Sequence, residues 1–588
     1  MYLGLFQSST KAKIATCPLF FSTAIPDFLC IYVNMAWLFV LSLCFSAYFL
    51  WTAYTFFQNY RKARQLKLPI LISPFNPLSP FWALFHKQLV PALKSLPFDI
   101  AGSVRYSYVG WPFDDKYAIH ERFGDAFLVV NAAFVELYIA EGEAIDAVVS
   151  RRKDFPKPVE LMYRPLEVFG KNVDTVEGEE WQRHRKITTP PFNERNSGLV
   201  WKESLRQAGD LIKEWSEHRQ QGVTSTSDDT MTLALHVLTS AGFGMSYSFH
   251  KTGEAELPPG HTMSYRDALN AVLRGIIPIF VFPHKWFSLP FAPKSARRLG
   301  TAIKEFRAYM TEMVAKERTM ISKRDPGTGN LMSSLVRASD QAKEHALTDD
   351  EIFGNTFIYN LAGHETTANT LAYAINLLAV FPDYQDWIFE KLKVVLGDQD
   401  SASAPEYEEV FPKLKRCLAI MYETLRLYGP TTTLPKYTND KAQPLTISGK
   451  HHIIPAHVVI HLNQSAVHTL PKYWGSNSLD WLPDRWISSS AGADFAKEPP
   501  GGKGTFVPWA EGARICPGKK FAQVEFVAVL AVLFRRWKVR PATRKEESLD
   551  EARERVLRVV KDSEVVITLQ MRDPGNVGLI WTERETEV

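Results

Sequence analysis

Cysteine is scarce in this 588-residue chain. There are five: Cys17, Cys30, Cys44, Cys417 and Cys516. An odd, sparse set offers no disulfide framework and points to a reducing compartment for the main body. Excess charge is also lacking. The formal net charge is +4, too small at this length to argue for a nucleic-acid partner. No internal repeat is visible, so the chain does not read as a solenoid or propeller. With 46% hydrophobic and 22% charged residues it is neither disordered nor collagen-like. Between Phe28 and Tyr60 charge is missing altogether.

That uncharged run is the first positive feature. About 20 apolar residues cross a bilayer, and the stretch from about 31 to 57 exceeds this. A cleavable signal peptide would be shorter and would end in small residues. Here the run stops at Arg61, Lys62, Arg64 and Lys67, with only Lys11 and Lys13 before it. The bias of basic residues predicts a single span with a cytosolic body. Pro69, Pro74, Pro77 and Pro80 then stiffen a linker. The expected division is an N-terminal anchor region 1–60, a basic stop and Pro-rich linker 61–84, a main body 85–572 and a polar, loose tail 573–588.

The body reads as mainly α with small β-sheets. Candidate helices are Leu199–Gln221, Ala296–Ile321, Thr348–Phe381, Pro412–Tyr428 and Gly518–Phe534. Strand-like pieces are Ala126–Val130, Val458–Leu462 and Val565–Gln570. The longest helix opens on Thr348 with Glu351 at capping-box spacing and is stopped by Pro382. At 1.5 Å per residue it is a rod of roughly 50 Å. Its apolar residues are not confined to one stripe, so it should cross the core.

The most informative segment is Phe506 to Gly518. Gly512 and Gly518 permit tight turns and close approach of a ligand. Arg514 offers several fixed donors suited to a carboxylate. Cys516 precedes an apolar helix, whose N-terminal dipole favours a thiolate that a bound metal would fully ionise. A lone cysteine is more often a buried structural residue, but not one inside such a loop.

Trp509, Gly512, Arg514, Cys516 and Gly518 resemble the haem-binding signature of the cytochrome P-450 superfamily, with tryptophan where phenylalanine is usual. Three further segments carry the resemblance. Glu423 and Arg426 share a helix face and, with Arg485 of Pro483-Asp484-Arg485-Trp486, match the family's buried lock behind the haem. Ala362-Gly363-His364-Glu365-Thr366 resembles its oxygen-activation groove. There the Thr366 hydroxyl can bond the carbonyl of Ala362 and break the helix locally. A zinc helix at His364-Glu365 is excluded, since its second histidine would fall at Ala368. Trp181 and Arg185 match the helix that contacts a haem propionate, and Lys436 matches a further basic partner.

The resemblance covers roughly 85–572 and implies a haem-thiolate monooxygenase. Its cofactor would be haem b with Cys516 as axial ligand. Gly363, Glu365 and Thr366 would serve oxygen activation and proton delivery. By family position, Tyr163, Leu166, Phe169, Tyr359, Ala362, Thr432, Thr433 and Leu434 would line a pocket for a small lipophilic substrate. The implied partners are membrane lipid and an NADPH-dependent flavoprotein reductase, or a small cytochrome, docking near Lys519, Lys520, Arg535, Arg536, Arg183 and Lys186. The endoplasmic reticulum membrane is the implied location. A peroxide-using or rearranging enzyme of the same fold, and a non-catalytic haem sensor, are the alternatives.

Overall fold

The computed structural model describes residues 26–77, 79–94, 104–217, 222–249, 257–323, 329–397, 406–488, 494–495 and 498–584. Residues 1–25 and 585–588, and the end of the helix predicted to reach Gln221, lie outside the described residues. The chain divides into two units, Met1–Gln58 and Asn59–Val588.

Helix α1, Pro26–Arg64, passes through that division and ends on Arg61, Lys62 and Arg64. Its stretch Phe39–Arg64 is long and apolar enough to cross a membrane, with exposed Phe39, Leu41, Phe45, Phe49, Leu50 and Trp51.

In the second unit the helices that build the site are α2 (Gly142–Ser150), α3 (Gly178–Thr188), α4 (Glu194–Glu217), α5 (Thr226–Phe243), α6 (Lys294–Ser322), α7 (Asp349–Val380), α8 (Lys415–Tyr428) and α9 (Lys519–Arg536). Helix α7 carries the predicted capping box in full: Thr348 accepts from the Glu351 amide, and Glu351 accepts from the Thr348 amide. It runs unbroken to Val380. From Glu351 to Val380 it is buried on every side except at Ala362, Gly363, Glu365 and Thr366. An all-round apolar helix that opens for one turn marks an internal space beside that turn.

A five-stranded sheet flanks the helices. Its strands are β1 (Ile70–Ile72), β2 (Ala126–Val130), β3 (Val135–Ile139), β4 (Leu434–Tyr437) and β7 (Val458–Leu462), in the order β1-β2-β3-β7-β4. The hairpin β5 (Gln443–Ile447) and β6 (Lys450–Ile454) intervenes in sequence and pairs separately. β2, β3 and β7 are buried at every position. Apolar runs without alternation suit such doubly covered strands.

Three sequence expectations are corrected here. Val565–Gln570 is not one strand but the tip of a hairpin, β9 (Ser563–Val565) with β10 (Leu569–Met571). The helix does not break at Ala362–Thr366; the Thr366 hydroxyl donates to the Ala362 carbonyl at 2.6 Å within continuous α-helix. The described part of the tail, 573–584, is not loose. β11 (Leu579–Glu583) pairs antiparallel with β8 (Trp537–Pro541). Trp581 is fully buried, its ring 5.2 Å from Trp215 and 5.6 Å from Phe534. Three apolar residues, Leu579 to Trp581, are too short a run to announce a strand. Partners from α4 and α9 decide it.

Candidate active site

Cys516 stands between a tight turn at Gly512–Arg514 and the start of α9. Its amide donates to the Trp509 carbonyl at 2.9 Å, which closes the loop. Gly512 has φ +69, and a Cβ there would lie 2.8 Å from the Val149 carbonyl oxygen. Only glycine allows that contact with α2. Cys516 has free surface, and that surface is the wall of a cavity of about 400 Å³. Burial pushes its thiol pKa up, against the pull of the Gly518 amide and the Arg185 guanidinium. The helix end alone therefore does not ionise this sulfur; a bound metal ion would.

The same cavity is lined by α7 through Tyr359, Ala362, Gly363 and Thr366. A Cβ at Gly363 would make only ordinary contact, 3.5 Å from Leu238, so protein packing does not require glycine there. Glu365 does not line the cavity. It accepts a hydrogen bond from Thr568 Oγ1 at 2.7 Å, in the turn between β9 and β10, and burial raises its pKa. Leu238, Leu331, Ile358, Met421, Leu425 and Leu434 make much of the remaining wall apolar.

One side of the cavity is cationic. Lys157, Arg185, Lys436 and Arg514 all line it. Arg185 donates to the Ile515 carbonyl at 2.8 Å. Arg514 pairs with Glu177 at 2.6 Å and donates to the carbonyls of Val176 (2.7 Å) and Val173 (3.4 Å). Its Nε is buried without a partner. Lys157 pairs with Asp174. Burial, with Lys157 and Arg514 nearby, pushes Lys436 down to about 8. Trp181 lies between cations, with Arg152 and Arg514 at 4.3 and 4.6 Å from its ring centroid. The cluster is short of anions.

A second charged cluster is closed. Arg426 pairs with Glu423 through Nε (2.9 Å) and Nη2 (2.7 Å), and both side chains are fully buried. Its remaining donors reach the carbonyls of His468, Ser478 and Asp480. Glu423 also accepts from Arg485 Nε (3.0 Å), the Leu482 amide and Trp486 Nε1. The predicted trio is therefore assembled.

Not every predicted residue reaches the cavity. Tyr163, Tyr359, Ala362 and Leu434 line it, whereas Leu166, Phe169, Thr432 and Thr433 do not. Phe169 is buried against Phe306 and Phe357, and Thr432 is turned into the fold. Loop curvature, which spacing does not encode, separates the two groups. Arg183 is not a free surface charge either, because it pairs with Glu351 and bonds the Ala346 carbonyl. Arg535 is held by the Gly397 carbonyl at 2.9 Å. The sequence reading missed Lys157, Asp174 and Glu177, which lie in loops without periodicity; a basic residue beside Pro156 and Pro158 was their only signal.

A family model described as cytochrome P450 matches residues 112–565. The chain belongs to the cytochrome P450 family. It is 31% identical over 559 residues to a cytochrome P450 monooxygenase of Arthrobotrys oligospora, covering 89% of this chain and 94% of that protein. A second P450 monooxygenase, prx9 of Penicillium rubens, is 34% identical and covers 74% and 79%. Among solved structures, the haem domain of cytochrome P450DA superposes with a TM-score of 0.64 at 20% identity, over 88% of this chain and 98% of that one. The enzyme is thus an oxygen-incorporating oxidoreductase of the P450 fold, a family that uses haem with an axial cysteine thiolate. The residues present fit that cofactor. A thiol opens on an apolar cavity, and beside it Lys157, Arg185, Lys436 and Arg514 stand against two carboxylates, Asp174 and Glu177, a balance that two porphyrin carboxylates would complete.

Proposed function

We propose that this P450 is a membrane-anchored monooxygenase that inserts one atom of dioxygen into a small lipophilic molecule, with electrons from NADPH passed by a flavoprotein reductase or a small cytochrome. The observation that carries this reading is the shared cavity. Cys516, the open turn of α7 and an apolar wall meet there, beside cations without enough anions.

When bound, haem supplies oxygen activation, and a cysteine thiolate favours O–O cleavage. The chain supplies binding, orientation and protons. Cys516 would ligate the haem iron in this reading. Arg185, Lys436 and Arg514 would hold the haem carboxylates, with Lys157 beside them and Trp181 bracing Arg514. Trp509 and Gly518 shape the loop around the sulfur. Ala362 and Gly363 leave room along α7. Thr366 presents a hydroxyl to the cavity, and Glu365 holds a proton more readily than a surface carboxylate because partial burial strips it of solvent. Tyr163, Tyr359 and Leu434, with Leu238, Leu331 and Ile358, face the substrate. An apolar wall with a few polar groups suits a lipophilic molecule.

The long α1 and its basic end support anchoring in the endoplasmic reticulum with a cytosolic body. Lys519 and Lys520, at the start of α9, remain candidates for steering an acidic electron donor. The deciding experiment is Cys516→Ser. The strongly red-shifted Soret band of the reduced carbon monoxide complex should vanish, and its survival would refute the assignment.

A further inference from the structure

Near its N-terminal end α7 makes a contact that oxygen chemistry does not call for. Gly354 lies so close to the loop after Phe169 that a Cβ on it would stand 2.4 Å from the Gly170 carbonyl oxygen and 2.5 Å from that of Lys171. Gly170 itself has φ +144, and a Cβ there would meet the Asp350 carbonyl at 2.0 Å. Two glycines thus let the loop lie directly on the helix. Arg307 fastens the same junction, through Asp350 (2.7 Å) and the Phe169 carbonyl (3.3 Å).

The next residue, Asn355, is fully buried and joins three elements. Its Oδ1 accepts from the Val173 amide at 2.9 Å. Its Nδ2 donates to the Glu351 carbonyl at 2.7 Å and to His184 Nδ1 at 3.1 Å. That bond assigns the His184 tautomer: Nδ1 accepts, and Nε2–H faces Glu351 Oε1 at 3.2 Å. His184 is fully buried on α3, one residue before Arg185 and three after Trp181. On the loop side, Val173 and Val176 are the residues whose carbonyls hold the Arg514 guanidinium. One amide side chain therefore bonds directly both to the loop that orients Arg514 and to the helix that bears Arg185.

We infer that Asn355, seated by the Gly354–Gly170 contact, is a positioning residue that sets where Arg514 and Arg185 hold the haem carboxylates. The inference rests on the role proposed above for those arginines. Removing Asn355 leaves the Val173 amide and His184 Nδ1 unpaired and frees residues 172–177 to shift, carrying Arg514 with them. Outer partners that orient metal-ligating side chains are typically worth ten- to a hundredfold in affinity, and an effect of that order is expected here.

The experiment uses the full-length holoprotein and follows haem release into excess apomyoglobin, with the reduction potential as a second readout. Asn355→Leu should release haem about tenfold faster or more and shift the potential, while the carbon monoxide spectrum of the reduced protein stays that of a thiolate complex. The matched control is Asn376→Leu. Asn376 is another buried asparagine of α7, bonded to the Ala372 carbonyl at 2.9 Å, and it does not touch the loop. It should lower thermal stability and leave haem release alone. Asn355→Ser, too short to reach Val173, carries the test if Asn355→Leu does not fold. Unchanged release in the Asn355 variants, or equal acceleration in Asn376→Leu, overturns the inference. Arg514→Leu separates the two layers. If it speeds release and the Asn355 variants do not, only the positioning role falls. If it too is without effect, the role of Arg514 falls first.

Discussion

Two clusters of buried charge, both built around arginine, behave oppositely. Around Arg426 the donors are matched by a carboxylate and three carbonyls, and Glu423 is matched by two arginines, an amide and an indole. Around Arg514 one buried donor is left over, and Lys436 is pushed down to about 8. Low dielectric makes an unmet buried donor costly, and the Arg514 Nε differs from its Arg426 counterpart in lying on a residue that lines the cavity. The closed cluster satisfies its own members, and the open one is where the proposed reading places the haem carboxylates.

Breaking the closed cluster should have the largest effect. Glu423→Ala strands two arginines in the interior, and loss of one partner of a buried pair costs about 3–5 kcal/mol. Little folded holoprotein should accumulate, as read by thermal denaturation and haem content. Near-normal stability in this variant would erase the contrast.

The open cluster should respond on the ligand side instead. Arg514→Leu removes a guanidinium that is not fully satisfied, so the apoprotein should lose less stability than in Glu423→Ala. Haem release should accelerate, by about 10–100-fold. A variant that unfolds as badly as Glu423→Ala would place Arg514 with the architecture.

Thr366→Ala tests the cavity itself at lower cost to the fold. Its hydroxyl donates to one helix carbonyl, a local bond of modest worth. If it also manages protons, haem and substrate binding should persist while product per NADPH falls several-fold and hydrogen peroxide rises. Unchanged coupling would remove the proton role and favour chemistry without external electrons.

The smallest effect concerns Glu525 on α9. It is fully buried with neither carboxylate oxygen partnered, and burial pushes its pKa well above the carboxylate range. The folded chain therefore keeps a proton that the unfolded chain releases. Stability contributed in this way is complete below the ordinary glutamate pKa and declines as pH rises toward the folded value. Glu525→Gln should flatten that decline, raising Tm under mildly alkaline conditions and hardly at all in mild acid. An unaltered pH slope would mean that Glu525 finds a partner in solution.

The legible parts of the site were those with local grammar. The i,i+3 spacing put Glu423 and Arg426 on one face, and the capping box of α7 forms between Thr348 and Glu351 as its spacing demands. The Gly512–Cys516 turn is set by backbone geometry that few residues tolerate. Illegible were Lys157, Asp174, Glu177 and Asn355, because each acquires its role from a partner far away in the chain. Asn355 meets Val173 and His184 across more than 170 positions.

By itself, the order of residues determined that a thiol sits beside a helix start, that a long helix is apolar all round, and that one uncharged run suits a bilayer. These follow from periodicity, caps and turns, which are short-range. Tertiary structure alone decided that the last strand closes on β8 instead of fraying, that Phe169 packs away from the cavity while Tyr163 lines it, and that Arg183 is spent on Glu351. The reason is that burial and charge pairing depend on which distant surfaces meet, and a surface has no partner until the chain has folded.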